Sequence, residues 1–148
     1  MHLTIEKVAI LKGVDLFATI PDHVLAAVAQ VVEVVELEPG ETFIEEGDLG
    51  DCMYLVVEGE VRVHKQQQTI ITLGPGESVG ELAVLDPEPR SASVSAVGPT
   101  RLFRLAKEPF DDVLLERPEM AQGVIHALCR RIREQGRRMA AGAQLKFD

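Results

Sequence analysis

Apolar residues recur at helical spacing at Ile5, Val8, Ala9 and Leu11, and Gly13 closes that pattern. Pro21 and Asp22 open a second helical run carried by Leu25, Val28 and Ala29. From residue 31 the pattern changes. The run Val31-Val32-Glu33-Val34-Val35-Glu36-Leu37 is β-branched and stops at Pro39-Gly40, a turn signal. Strands are expected next at Thr42 to Glu45, Met53 to Val57, Glu60 to His64, Thr69 to Leu73, Ser93 to Val97 and Arg101 to Leu105. Glycines 40, 47, 50, 59, 74, 76 and 80 punctuate these runs, as an antiparallel sheet that turns repeatedly requires, and Gln66-Gln67-Gln68 is expected to cap a hairpin. After Lys107 the helical period returns. Phe110, Val113 and Leu114 predict a short helix, and Pro118 starts a long amphipathic one with Met120, Val124, Leu128 and Ile132 every four residues and Ala121, Ile125 and Cys129 beside them. Gly136, amid Arg130, Arg131, Arg133, Arg137 and Arg138, predicts fraying or a hinge.

Helices, then strands, then helices, with strands too short and too closely spaced for a parallel sheet, predict a sandwich or small barrel. The 148 residues fit one compact domain, read as helices over 1–30, strands over 31–106 and helices over 107–148. Abundant valine with one Tyr and no Trp makes the core aliphatic. Cys52 and Cys129 are far apart, match no metal-ligand spacing and read as free, partly buried thiols of an intracellular protein. No run of about eighteen apolar residues and no signal-peptide order at the start are found, which places the chain in the cytoplasm or on the cytoplasmic side of something larger.

Charge narrows the picture further. Residues 1–129 hold nine Lys and Arg against 22 Asp and Glu, a net of −13, while residues 130–148 hold six against two, a net of +4. An acidic body is a poor partner for a nucleic acid, whose affinity rests on neutralised phosphates. No helix-turn-helix follows the long helix, so DNA is not an expected partner. Within the body, Arg90 is the only basic residue between Lys65 and Arg101, among Glu77, Glu81, Asp86 and Glu88.

Arg90 belongs to the stretch that carries chemistry, Gly80-Glu81-Leu82-Ala83-Val84-Leu85-Asp86-Pro87-Glu88-Pro89-Arg90-Ser91-Ala92. A short helix is expected from Gly80 through Leu85, ended by Asp86-Pro87. Its free amides would form an anion site that the glycine lets a ligand approach. Arg90 can pair with a phosphate, Ser91 can add its hydroxyl or amide, and Glu81 can accept from a sugar hydroxyl. Amides, one cation and one acceptor suit a nucleotide sugar-phosphate. The alternative from residue types is that Arg90 pairs with Glu81, Asp86 or Glu88 on a solvated loop.

The stretch resembles the phosphate-binding cassette of cyclic nucleotide-binding domains: Gly-Glu-Leu-Ala, six residues, then Arg-(Ser/Thr/Ala)-Ala, matched here without a gap by Gly80 to Ala83 and Arg90 to Ala92. The similarity extends to Ile10-Leu11-Lys12-Gly13-Val14-Asp15-Leu16-Phe17, to Glu45-Glu46-Gly47-Asp48, to Tyr54 through Val61 and to residues 118 onward. The resemblance implies a mainly β fold with flanking helices: an eight-stranded antiparallel β-roll of jelly-roll type, N-terminal helices and a long C-terminal lid helix. It implies that Glu81 accepts from the ribose 2′-hydroxyl, that Arg90 pairs with the cyclic phosphate, that backbone groups of Gly80, Leu82, Ala83 and Ser91 complete the cradle, and that Ala92 lines the wall. Val79 stands where the family usually has Phe. Arg131 and Gln135 match an arginine and a polar residue four positions on that cover the base in bacterial regulators; a solvated helix face is the other reading of that pair. The Arg-Ser-Ala form is more similar to cyclic-AMP-binding bacterial regulators than to cyclic-GMP-dependent kinases, so cyclic AMP is expected over cyclic GMP.

No cofactor, metal or enzymatic activity is expected. Only His64 lies in an expected strand, since His2, His23 and His126 fall in flanking helices, so the several histidines of a jelly-roll metalloenzyme are missing. His64 is read as a strand residue with a local partner. The rival to ligand sensing is a ligand-silent relative that serves as an interaction or dimerisation module, for instance a homodimer through the apolar stripe of the last helix. Arg90 argues against it, because a silent domain does not need a cation inside an acidic cassette. The sequence supplies no output domain, so an effector in a larger protein is an expected partner.

Overall fold

A computed structural model describes residues 3–147, leaving Met1, His2 and Asp148 outside the description. The chain runs through α1 (Thr4–Leu11), a single 3-10 turn (Asp15–Phe17) and α2 (Asp22–Val31). The strands are β1 (Glu33–Leu37), β2 (Thr42–Ile44), β3 (Leu49–Gly50), β4 (Cys52–Glu58), β5 (Val61–Lys65), β6 (Gln68–Leu73), β7 (Ser78–Val79), β8 (Glu88–Pro89), β9 (Ser93–Ala96) and β10 (Thr100–Ala106). Helices α3 (Lys107–Glu116) and α4 (Pro118–Phe147) close it.

Every pairing is antiparallel. One four-stranded sheet has the order β1-β10-β4-β7, a second has β2-β9-β5-β6, and β3 pairs with β8 in a two-stranded ribbon. The expected eight-stranded roll is therefore present as two four-stranded sheets, with the ribbon as an addition. The seven strands expected from the sequence all form, and β3, β7 and β8 are additions of two residues each, too short to show a period. Val31 belongs to α2 rather than to the first strand, because α2 buries Val28 and Ala29 and continues two residues past them.

Sheet β1-β10-β4-β7 is covered on both faces, and the side-chain alternation shows it. Met53 and Leu55 of β4 and Phe103 and Leu105 of β10 face a cluster with the helices that includes Phe17, Leu25, Phe110 and Met120. Their neighbours Val56 and Leu102 face the second sheet with Ile44, Val61 and Val94. This double burial makes β4 an almost continuous apolar run. Phe17 and Phe110 meet with ring centroids 5.9 Å apart, which ties the N-terminal helices to α3.

The hairpin between β5 and β6 turns at Gln66, whose φ of 54° is left-handed, as the glutamine cap predicted. His64 is buried and bonds locally, through Nδ1 to the Gln66 carbonyl at 2.8 Å and through Nε2 to Ser95 Oγ at 2.8 Å. His23 and His126 lie in α2 and α4. Cys52 is buried and Cys129 exposed, both free.

Two expectations for α4 are corrected. The helix runs through Gly136 without a break. One exposed glycine costs only about 1 kcal/mol relative to alanine, too little to end a helix flanked by good helix formers. The apolar positions also divide between two faces. Met120, Val124 and Ala127 are buried, whereas Ile125 and Ile132 are exposed at 60% and 67%. Gly123 lets α4 lie directly against Ile20, whose side chain a Cβ there would overlap.

Candidate ligand-binding cassette

The segment after β7 is held at its two ends and in its middle. Gly80 has a φ of 69°, a left-handed conformation that suits glycine. Val84 is fully buried in the helix-side core, and Lys107 Nζ of α3 donates to the Leu85 carbonyl at 3.2 Å. Between these anchors the chain forms successive turns rather than the expected helix. The amides of Ala83 and Leu85 donate to the carbonyls three residues back, Gly80 and Leu82, at 2.9 and 3.1 Å, and only Asp86 reaches four residues back, to Leu82 at 2.8 Å. The left-handed Gly80 at one end and Pro87 at the other leave too few α-compatible residues for a full helix.

The far end of the segment is fixed by the β3-β8 ribbon. Leu49 pairs with Pro89 and Gly50 with Glu88. Beyond that pairing, the Arg90 amide donates to the Asp48 carbonyl at 2.8 Å and the Gly47 amide donates to the Arg90 carbonyl at 2.9 Å. The backbone of Arg90 is thus bonded on both sides to the 47–48 turn. Its guanidinium lies against Gly50 and Gly80, at either of which a Cβ would overlap it. Arg90 Nη2 donates to the Cys52 carbonyl at 2.6 Å and to Cys52 Sγ at 3.6 Å. Among the described residues Arg90 makes no ion pair, so the solvated-loop alternative with Glu81, Asp86 or Glu88 is not what forms.

A cavity of about 410 Å³ opens over this segment, within the usual range for a small-ligand site. Its walls include Leu82, Ala83, Arg90, Ser91 and, from α4, Leu128. Ala92 follows the lining at half-buried depth. Glu81 has an environment that the sequence did not foretell. Its Oε1 accepts from Arg131 Nη2 at 2.6 Å, while its Oε2 is buried without a hydrogen-bond partner. Arg131 also donates to Asp15 Oδ2 at 2.9 Å, and Arg130 donates to Asp15 Oδ1 at 3.0 Å. These contacts hold the Asp15 carboxyl below the usual carboxylate range, with the Arg131 bond the largest cause, and raise Arg131 further. Gln135 is exposed one turn beyond Arg131.

Of the expected residues, Leu82, Ala83, Arg90 and Ser91 line the cavity, Gly80 lies against the Arg90 guanidinium, Glu81 and Ala92 belong to the same segment outside the lining, Arg131 reaches Glu81 from α4, and Gln135 is exposed beyond it. The sequence reasoning missed Asp15, Gly50 and the Cys52 carbonyl. Gly47 and Gly50 were visible as punctuation, but nothing in their spacing said that they flank the arginine. An orphaned buried carboxylate oxygen and a guanidinium unneutralised by any acid can jointly accept a hydroxyl and bind an anion.

Comparison with known proteins agrees with this chemistry. Residues 34–117 match the cyclic nucleotide-binding domain family, more than half of the chain. A cyclic AMP receptor protein of Thermus thermophilus is 39% identical over 100 residues, 64% of this chain and 46% of that protein. A CRP-like cAMP-activated global transcriptional regulator of Mycobacterium tuberculosis is 26% identical over 88% of this chain and 61% of its own length. The chain thus spans about half to three-fifths of these relatives. Among solved structures, the N-terminal domain of a transcriptional regulator from Streptomyces coelicolor A3(2) superposes with a TM-score of 0.83 at 33% identity, covering 88% of this chain and 94% of that one. The regulatory domain of Toxoplasma gondii PKA, crystallised with cAMP, gives 0.69 at 30% identity over 74% and 44% of the two chains. With the cassette, the two-sheet roll and the closing helices all in place, the chain belongs to the cyclic nucleotide-binding domain family and is a regulatory cyclic nucleotide-binding domain.

Proposed function

We propose that this chain senses cyclic AMP in preference to cyclic GMP and passes the signal on through α4. The observation that carries the reading is Arg90, bonded to a backbone carbonyl and not to any carboxylate, at the wall of a ligand-sized cavity. The cyclic phosphate pairs with Arg90 and with backbone groups of Gly80, Leu82, Ala83 and Ser91. The ribose 2′-hydroxyl donates to Glu81 Oε2, the buried oxygen without a partner. Ala92 and Leu82 give apolar walls. The preference for adenine is supported by Ser91 in the Arg-Ser-Ala segment and by the similar proteins that are named for cyclic AMP or crystallised with it.

Leu128 of α4 lines the cavity and Arg131 touches Glu81, so nucleotide and helix share a boundary. Binding favours one placement of α4, which acts on an effector domain in a larger protein in the cytoplasm. Arg131 and Gln135 then cover the base. The exposed residues Ile125, Ile132 and Met139, seven apart, offer a seam for pairing with a second copy. The same seam supports the rival reading of a ligand-silent dimerisation module.

Melting the domain with each nucleotide separates the two. At a hundredfold excess over Kd, cyclic AMP is expected to raise the midpoint by about 5–10 °C, cyclic GMP by less, and neither to affect Arg90→Ala. Identical melting of the wild-type domain with and without both nucleotides rejects the sensing role.

A further inference from the structure

Arg131 Nη2 carries two N-H groups and serves two carboxylates with them, Glu81 Oε1 at 2.6 Å and Asp15 Oδ2 at 2.9 Å. Arg130 occupies the other oxygen of Asp15 at 3.0 Å. Asp15 opens the 3-10 turn between α1 and α2, a part of the chain with no residue in the cavity wall. It is nevertheless only two hydrogen bonds, through Arg131, from Glu81. A carboxylate gripped by one oxygen loses its freedom to rotate, so the direction of its second oxygen is set by whatever fixes the grip. Here the grip is Arg131. A long arginine side chain tethered only at Glu81 would sample several rotamers, and the second tether at Asp15 removes most of them.

We propose that Asp15 is a positioning residue for recognition of a ribose 2′-hydroxyl: it holds Arg131, and Arg131 holds Glu81 so that Oε2 faces the hydroxyl. The inference rests on the cyclic nucleotide reading and deepens it, because it assigns hydroxyl selectivity to a residue outside the pocket. Asp22, seven residues on at the start of α2 and, among the described residues, ion-paired with Lys12 alone at 2.6 Å, has no such connection and serves as the control.

The test compares cyclic AMP with its 2′-deoxy analogue by calorimetry on the full chain. The wild type is expected to favour the hydroxyl-bearing nucleotide by about tenfold, the scale of one hydrogen bond to a charged acceptor. Asp15→Asn is expected to weaken cyclic AMP binding about fivefold and the 2′-deoxy analogue less than twofold. Asp15→Glu, which keeps the carboxylate, is expected to retain most of the discrimination, and Asp22→Asn all of it. In an Arg131→Gln background Asp15→Asn is expected to change nothing further. A wild type that binds while Asp15→Asn weakens both nucleotides equally, or neither, overturns the inference and leaves the sensing role standing. A wild type that binds neither nucleotide overturns both.

Discussion

Arg90 and Cys52 are joined by a 2.6 Å hydrogen bond from the guanidinium to the backbone carbonyl, so the cation of the cassette is aimed by strand β4 and not by another charge. A carbonyl orients the guanidinium without neutralising it, and the remaining N-H groups stay available for an anion. Arg90→Ala is expected to weaken cyclic AMP binding by roughly 2–4 kcal/mol, the scale for losing a buried charged partner. The fold is expected to survive, since no carboxylate is left unpaired. Calorimetry and circular dichroism on the variant check the two halves of that statement.

Gly50 sets how close β3 lies to the same guanidinium. A Cβ at this position would overlap Arg90 Cδ, Nε and Cζ, which are side-chain atoms free to swing aside. Gly50→Ala is therefore expected to move the cation and not the strand. Affinity is expected to fall at least about tenfold, because a site tolerates only about 0.5 Å of misplacement, with stability within about 1 kcal/mol of wild type. Equal affinity in the two proteins would show that Arg90 does not set binding geometry.

The polar chain buried in the second sheet makes a prediction about stability alone. The Gln66 carbonyl can only accept, so His64 Nδ1 donates to it; in the neutral ring Nε2 then accepts from Ser95, which in turn accepts from Thr42 at 2.7 Å. His64→Leu takes away Ser95's acceptor and leaves the Gln66 carbonyl without its donor. A loss of about 1–3 kcal/mol in urea unfolding is expected, with nucleotide affinity within twofold of wild type. A loss below about 0.5 kcal/mol would mean that water replaces the imidazole at no cost.

Acid is expected to weaken the tie between α4 and the N-terminal turn. Asp15 has a folded pKa depressed by its arginine partners, so it contributes stability above the usual carboxylate range and loses it as pH falls through the folded value. Half of the side chain is exposed, which keeps the contribution below about 1 kcal/mol. Urea midpoints of the wild type and Asp15→Asn are expected to differ at neutral pH and to converge in strong acid. A gap independent of pH would assign the effect to packing.

The sheets were legible because β-branched runs and glycine punctuation are local signals, and Gly80 to Ala92 because its order is contiguous. The parts that were not legible depend on distant residues meeting. The 3-10 turn at Asp15 and the arginines of α4 are 115 and 116 residues apart. The two-residue strands β3 and β8 exist only because the 47–50 turn and the end of the cassette find each other. The apolar positions of α4 read as one stripe in sequence, yet Gly123 against Ile20 rotates Met120, Val124 and Ala127 inward and leaves Ile125 and Ile132 outside. The expected helix after Gly80 failed for a local reason that could have been weighed: a left-handed glycine and a proline seven residues apart leave little room for one.

The most direct measurement is an isothermal titration of the folded, nucleotide-free domain with cyclic AMP and cyclic GMP, repeated on Arg90→Ala. Saturable binding with one nucleotide per chain, tighter for cyclic AMP, is expected, with loss of that heat in the variant. No heat with either nucleotide, or equal binding by the wild type and Arg90→Ala, would contradict the sensing role.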